Sequence, residues 1–195
     1  MKRIIFTRHA ETIENRTGIL QGNNHTDFSE EGRANLRKLK KELDKYDFQL
    51  ALSSDLPRCL KTANYILHQR KGIIRTEPLV REKSSGRFAG RATNQELWKS
   101  LRGSFERRKP LGGESLLETR RRAEKFAKLL LKLPEDRILV ISHGGFLKVL
   151  FGMLLGKGLR ESIFNLYVDH CSLTFLELSG EGKFEFKEFN ETKHL

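Results

Sequence analysis

Two histidines and two arginines carry the chemistry open to this sequence, and each stands where an apolar run gives way to polar residues. Arg8 and His9 follow Ile4-Ile5-Phe6-Thr7, His143 follows Ile138-Leu139-Val140-Ile141-Ser142 and precedes Gly144-Gly145, and Arg58 follows Pro57 just past Leu50-Ala51-Leu52-Ser53. A guanidinium stays charged and matches phosphoryl oxygens two at a time, whereas an imidazole near neutral pH can serve as nucleophile, acid or base. The glycines after His143 let backbone approach a ligand closely. Any one of these residues at a strand end is ordinary. Together they make a constellation suited to a phosphoryl group, provided that one sheet edge gathers them.

The flanking patterns supply that edge. Ile, Val and Phe favour buried, pleated positions, so the apolar runs read as strands, and open α/β sheets bind ligands at the carboxyl ends of their strands. Ser29 caps a helix with Glu30 and Glu31 in its first turn and Leu36, Leu39 and Leu43 along one stripe. Pro57 opens a second, whose buried face is Leu60, Ala63, Ile66 and Leu67 up to Gly72, so Arg58 falls in its first turn. Ser115 and Glu118 have capping-box spacing ahead of Leu117, Phe126, Ala127, Leu130 and Leu131, and an apolar helix runs from Phe146 to Leu155. Ile73-Ile74 suggests a short strand; Leu173–Leu178 and Phe184–Phe189, parted by Ser179-Gly180-Glu181-Gly182, read as a hairpin at the sheet edge. Asn15–Phe28 reads as a polar surface loop, and Asn190–Leu195 as a frayed tail. The expected architecture is one α/β domain over residues 1–195, a three-layer αβα sandwich around a sheet.

Residues 80–113 are irregular by comparison, with one expected helix capped by Thr93 and Glu96 in capping-box spacing. So long an excursion in a small domain suggests a lid or binding element. Arg81, Lys83, Arg87, Arg91, Lys99, Arg102, Arg107, Arg108 and Lys109 face only Glu82, Glu96 and Glu106. A solvated basic face and a holder of an anionic substrate both fit.

Composition narrows the class. The chain has 195 residues, 37% apolar and 32% charged, which suits a globular fold with a full core, and a net charge of +12. The basic residues are spread along the chain without interleaved aromatics, which argues against nucleic-acid binding; the charge also suits acidic small molecules. Cys59 and Cys171 form neither a close pair nor a Cys/His cluster, so no disulfide framework or metal site is expected. With no targeting pattern at the N-terminus and no apolar stretch of membrane-spanning length, the expectation is a cytoplasmic protein without membrane association. Oligomeric state is not legible.

Arg8-His9-Ala10-Glu11-Thr12, followed by Asn15, resembles the Arg-His-Gly signature of the histidine phosphatase superfamily, which includes the cofactor-dependent phosphoglycerate mutases and many phosphatases. Ser53-Ser54-Asp55-Leu56-Pro57-Arg58 with Thr62-Ala63, Leu79–Glu82, Gly112-Gly113-Glu114-Ser115 and Ser142-His143-Gly144-Gly145 resemble its other motifs in the same order. The resemblance spans Ile4 to about Gly156 and implies a mixed, mostly parallel sheet between helices. It implies that His9 attacks phosphorus and becomes a phosphohistidine, that Arg8, Arg58, His143 and Asn15 hold the phosphoryl oxygens, and that Glu82 protonates the leaving group and then activates water. Neither metal nor cofactor is implied, and the substrate would be a small phosphorylated metabolite.

The departures are Ala10 in place of the glycine after the histidine, His25 and Asp27 where Asp and Pro are usual, and Ala89 where a Glu often precedes Gly90. In the same loop Gln21 and Gly22 are candidate substrate contacts. The segment after Glu82, Lys83-Ser84-Ser85-Gly86-Arg87-Phe88, is shorter than the mutase insertion, which favours hydrolysis over mutase action. A noncatalytic phospho-ligand or nucleic-acid binding module is the remaining alternative.

Overall fold

In the computed structural model, which describes residues 1–22, 27–93 and 95–195, the apolar runs are strands. They are β1 (Lys2–Arg8), β2 (Leu50–Ser53), β3 (Ile74–Thr76), β4 (Arg137–Ser142), β5 (Leu173–Leu178) and β6 (Phe184–Glu191). One six-stranded sheet carries them in the order β3-β2-β4-β1-β5-β6. β3, β2, β4 and β1 pair in parallel, and β5 and β6 close the far edge antiparallel. Arg8 pairs with Ser142 and Ser53 with Ile141, so the chain leaves β1, β2 and β4 at one level of the same edge.

The period of two along the strands divides the core. Ile4, Phe6, Leu52 and Val140 face one way, onto Phe126, Phe146 and Phe151. These aromatics belong to α5 (Leu116–Lys132) and α6 (Gly144–Leu154). Ile5, Ala51, Leu139 and Ile141 face the other way, onto Leu36, Leu39, Ala63 and Ile66. Those come from α2 (Glu30–Leu43) and α3 (Pro57–Ile66). The result is the expected αβα sandwich with a mixed, mostly parallel sheet.

The caps explain the helix starts. Ser29 Oγ accepts from Gly32 N at 2.9 Å, and Ser115 and Glu118 form a reciprocal capping box. α7 (Leu159–Asn165), which no sequence signal announced, packs on α6 because Gly152 has no side chain: a Cβ there would lie 1.8 Å from Ser162 Oγ. The helix expected in the basic stretch is α4 (Gln95–Lys99), which begins two residues after Thr93, the expected cap; Asn94 between them and His25 lie outside the described residues.

Two expectations are corrected. The segment read as an unbroken polar loop begins with a helix, α1 (Ile13–Thr17), nucleated by a capping box in which Thr12 Oγ1 accepts from Asn15 N and Asn15 Oδ1 from Thr12 N. It buries no residue, so it left no apolar period to read. The tail is not frayed either: β6 continues to Glu191, Leu195 packs on the α2/α3 side of the core, and His194 Nε2 lies 3.0 Å from the Cys171 carbonyl. Among the described residues no helix is long and apolar enough to cross a membrane.

Candidate active site

Beyond the ends of β1, β2 and β4 the structure gathers Arg8, His9, Arg58, Glu82 and Asn15 on the wall of one cavity of about 520 Å³. His9 is 2% exposed, and its backbone N–H donates to Ser142 O at 3.0 Å, fastening the residue to the neighbouring strand end. Its Nδ1 lies 2.8 Å from the Ala10 carbonyl oxygen. A carbonyl only accepts, so Nδ1 carries the proton and the Nε2 lone pair is left bare. Burial first, then the charges of His143, Arg58, Arg8 and His170, push the pKa of His9 well below the usual imidazole value. A neutral imidazole of fixed tautomer is a nucleophile that needs no base. The backbone beyond is held too, Ala10 N donating to Thr62 Oγ1 at 3.2 Å.

The arginines are anchored so that each keeps one free end. Arg8 Nη1 donates to the Val168 carbonyl at 2.8 Å, and its Nε is buried without a partner. A Cβ on Gly144 would sit 3.0 Å from Arg8 Cζ, so that glycine makes room for the guanidinium. Arg58, in the first turn of α3, donates from Nε to His143 Nδ1 at 3.1 Å and from Nη1 to the Gly22 carbonyl at 2.9 Å. Among the described residues Nη2 of each arginine has no protein partner. Burial lowers both guanidinium pKa values from the ordinary one, with Glu82 pulling the other way.

His143 is fully buried behind Arg58. Because Nδ1 accepts from Arg58, Nε2 bears the proton and donates to Ser54 Oγ at 2.8 Å. Both ring nitrogens are therefore committed to protein, and in this state His143 fixes Arg58 rather than lining the cavity. Burial, then Arg58 and Arg8, lower its pKa well below the usual value.

Glu82 faces the cavity from the opposite side, with its carboxylate on the N-terminus of α6. Oε2 accepts from Gly145 N at 3.0 Å; Oε1 accepts from Phe146 N at 2.9 Å and from Lys83 N at 2.8 Å. A helix N-terminus is a natural seat for a carboxylate. Gly145 is needed there, since a Cβ would fall 2.4 Å from Glu82 Oε1. Asn15 Oδ1 takes bonds from Thr12 and meets His170 Nε2 at 3.1 Å, which leaves the amide NH2 for the cavity that Asn15 lines. Gln21 also lines it and is tied through Nε2 to Thr12 Oγ1, while Gly22 contributes its carbonyl to Arg58 and a backbone φ of +57°.

Two residues of the site gave no sequence signal. His170, in the turn before β5, places its ring 5.4 Å from that of His9; burial and Arg8 lower its pKa to about 3. Arg122 of α5 grips Glu114 with two nitrogens, at 2.7 and 3.0 Å, and donates to the carbonyls of Leu79 and Arg81, each at 2.7 Å. It holds the strap from which Glu82 projects.

The three lowered imidazoles make stability depend on pH. His9, His143 and His170 are neutral in the fold but take up protons in the unfolded chain below its ordinary value near 6.5. Unfolding then binds protons, so stability rises with pH up to about 6.5 and is flat above it. Denaturant midpoints should fall between pH 6.5 and 5, with a proton uptake on unfolding approaching three, or about 4 kcal/mol per pH unit. Equal midpoints at pH 7 and 5 would show that these rings are not held neutral.

Residues 4–192 match the family model described as histidine phosphatase superfamily (branch 1). The adenosylcobalamin/alpha-ribazole phosphatase of Escherichia coli K12 is 28% identical over 187 residues, covering 91% of this chain and 90% of that protein. An Erwinia tasmaniensis protein named "Probable phosphoglycerate mutase GpmB" is 28% identical over 163 residues, covering 80% and 76%. Among solved structures, Bacillus stearothermophilus YhfR superposes with a TM-score of 0.87 at 23% identity, covering 100% of this chain and 99% of that one, a likeness of fold.

Proposed function

The chain belongs to the histidine phosphatase superfamily, and from that premise we propose that it hydrolyses small phosphomonoesters through a phosphohistidine on His9, without a metal ion. The observation that carries the reading is the His9 tautomer: Nδ1–H is spent on the Ala10 carbonyl, and the Nε2 lone pair lies in a cavity flanked by two guanidinium groups. Nε2 attacks phosphorus in line as the ester P–O bond breaks. Glu82, protonated for this step, gives its proton to the departing alkoxide. Water then attacks the phosphohistidine, Glu82 takes a proton from it, and the P–N bond breaks to release phosphate. Arg8 and Arg58 Nη2 and the Asn15 amide bind the non-bridging oxygens and supply fixed positive charge where negative charge spreads. His143 holds Arg58 in register by accepting from its Nε; to bind a phosphoryl oxygen itself it has to release that bond and take up a proton on Nδ1, becoming a donor there. Gly144 contributes by leaving room for Arg8, and Gln21 and Gly22 form the wall beside the phosphoryl site.

Phosphate release from a panel of phosphomonoesters in excess EDTA tests this. Release undiminished by EDTA, with an acid-labile, base-stable phosphoenzyme trapped on quenching, is the expected result. No release from any ester, or release only with added divalent metal, would overturn it.

A further inference from the structure

A second cavity, of about 570 Å³, opens from the first across Glu82, Lys83, Ser85 and Leu20, which line both. Its character is different. Trp98 stands on one side, Phe105 and Phe164 on another with centroids 5.5 Å apart and planes tilted by 30°, and Ile163 and Leu116 contribute aliphatic surface. Phe164 is 56% exposed, so its ring offers a face to the cavity beyond its contact with Phe105.

Cations are set among these rings. Lys83 Nζ lies 4.5 Å from the Trp98 centroid, Arg108 lies 5.3 Å from Phe105, and Arg160 lies 5.4 Å from Phe105 and 5.7 Å from Phe164. Some cations of the basic stretch are matched: Arg81 pairs with Asp55, Lys99 with Glu96 and Lys109 with Glu118. Among the described residues Lys83, Arg108 and Arg160 have no carboxylate within salt-bridge distance. Three unmatched cations held over aromatic faces beside an open cavity call for an anion and a flat group together.

We propose that this cavity receives the leaving alcohol, and that the preferred substrates are phosphomonoesters whose alcohol carries a planar ring and a second anionic group. The assignment rests on the reading of Glu82 as the acid facing the leaving oxygen, because Glu82 is the wall common to both cavities. The ring lies against Trp98 or the Phe105/Phe164 pair, and the second anion meets Arg108, Arg160 or Lys83. The cavity volume suits a ligand of this kind.

Ribose 5-phosphate, adenosine 5′-monophosphate and adenosine 3′,5′-bisphosphate form a matched series, since each loses its 5′-phosphate from the same primary alcohol. kcat/KM for 5′-phosphate release should rise about tenfold on adding the ring and about tenfold again on adding the second anion. Trp98→Ala should collapse the first ratio and Arg160→Gln the second, and a ratio does not change with the fraction of enzyme folded. Trp98 is the sole tryptophan of the chain, so its fluorescence reports occupancy directly. In His9→Ala, adenosine 5′-monophosphate should quench it saturably and ribose 5-phosphate should not. Equal kcat/KM across the series with no quenching would overturn the pocket and leave the hydrolase reading standing. Quenching without turnover by the wild type would uphold the pocket and overturn the hydrolase reading; neither quenching nor turnover would overturn both.

Discussion

His9→Ala is expected to abolish turnover, lowering kcat by about 10⁵- to 10⁶-fold, the scale on which removal of a covalent nucleophile acts elsewhere. The arginines do not depend on His9 for their anchors: Arg8 is held by the Val168 carbonyl and Arg58 by His143 and Gly22. The variant should therefore still bind phosphate esters, and phosphate or vanadate should still raise its melting temperature. Stability should change little. The Ala10 carbonyl loses a buried donor, worth about 1 kcal/mol, but an imidazole crowded against His143 and two arginines is also removed. The phosphoenzyme trapped from the wild type should vanish. Residual turnover within a hundredfold of wild type would place the nucleophile elsewhere; loss of both turnover and anion-induced stabilisation in a folded protein would show that His9 organises the site rather than attacks.

What made this residue readable is local. Three strands are continuous apolar runs, buried on both faces, and end at the same level, so His9, His143 and Arg58 could be placed at one edge from short patterns alone. The two cavity-facing arginines and the glycine beside Arg8 follow from the same logic. Local pattern fails where position depends on the path of distant chain. Arg122 looks like any helix arginine in sequence; only the fold brings the Leu79 and Arg81 carbonyls and Glu114 to it. His170 sits in a turn with no period of its own and reaches His9 because Arg8 O takes a hydrogen bond from Cys171 N at 3.1 Å. The basic stretch likewise read as uniform charge, whereas the fold pairs some of its cations with carboxylates and turns others onto aromatic rings. α1 was missed for the opposite reason: its capping box is local, but it buries no residue, and apolar periodicity reports only buried faces.

Glu82→Gln tests the proton transfers, and its effect is expected to depend on the leaving group. An alkoxide needs a proton as it departs, so in a single turnover the variant should cleave an alkyl phosphate about 10²- to 10⁴-fold more slowly than wild type. A p-nitrophenolate leaves without help, and its first-turnover release should fall less than tenfold. Steady-state rates would obscure this contrast, because Glu82 is also the proposed base for the attacking water. With p-nitrophenyl phosphate the variant should show a burst close to one equivalent of phenolate followed by slow turnover, as the phosphohistidine accumulates. The substitution also disturbs local packing: the glutamine carbonyl can replace Oε1 toward Phe146 N and Lys83 N, but its NH2 then meets the Gly145 N–H that Oε2 accepts. That donor-to-donor contact weakens the seat of the side chain whatever the leaving group, so a loss common to both substrates measures displacement. The excess loss on the alkyl ester measures acid catalysis. Equal first-turnover losses on both, with no burst, would remove Glu82 from proton transfer and leave it as the carboxylate that seats the strap on α6.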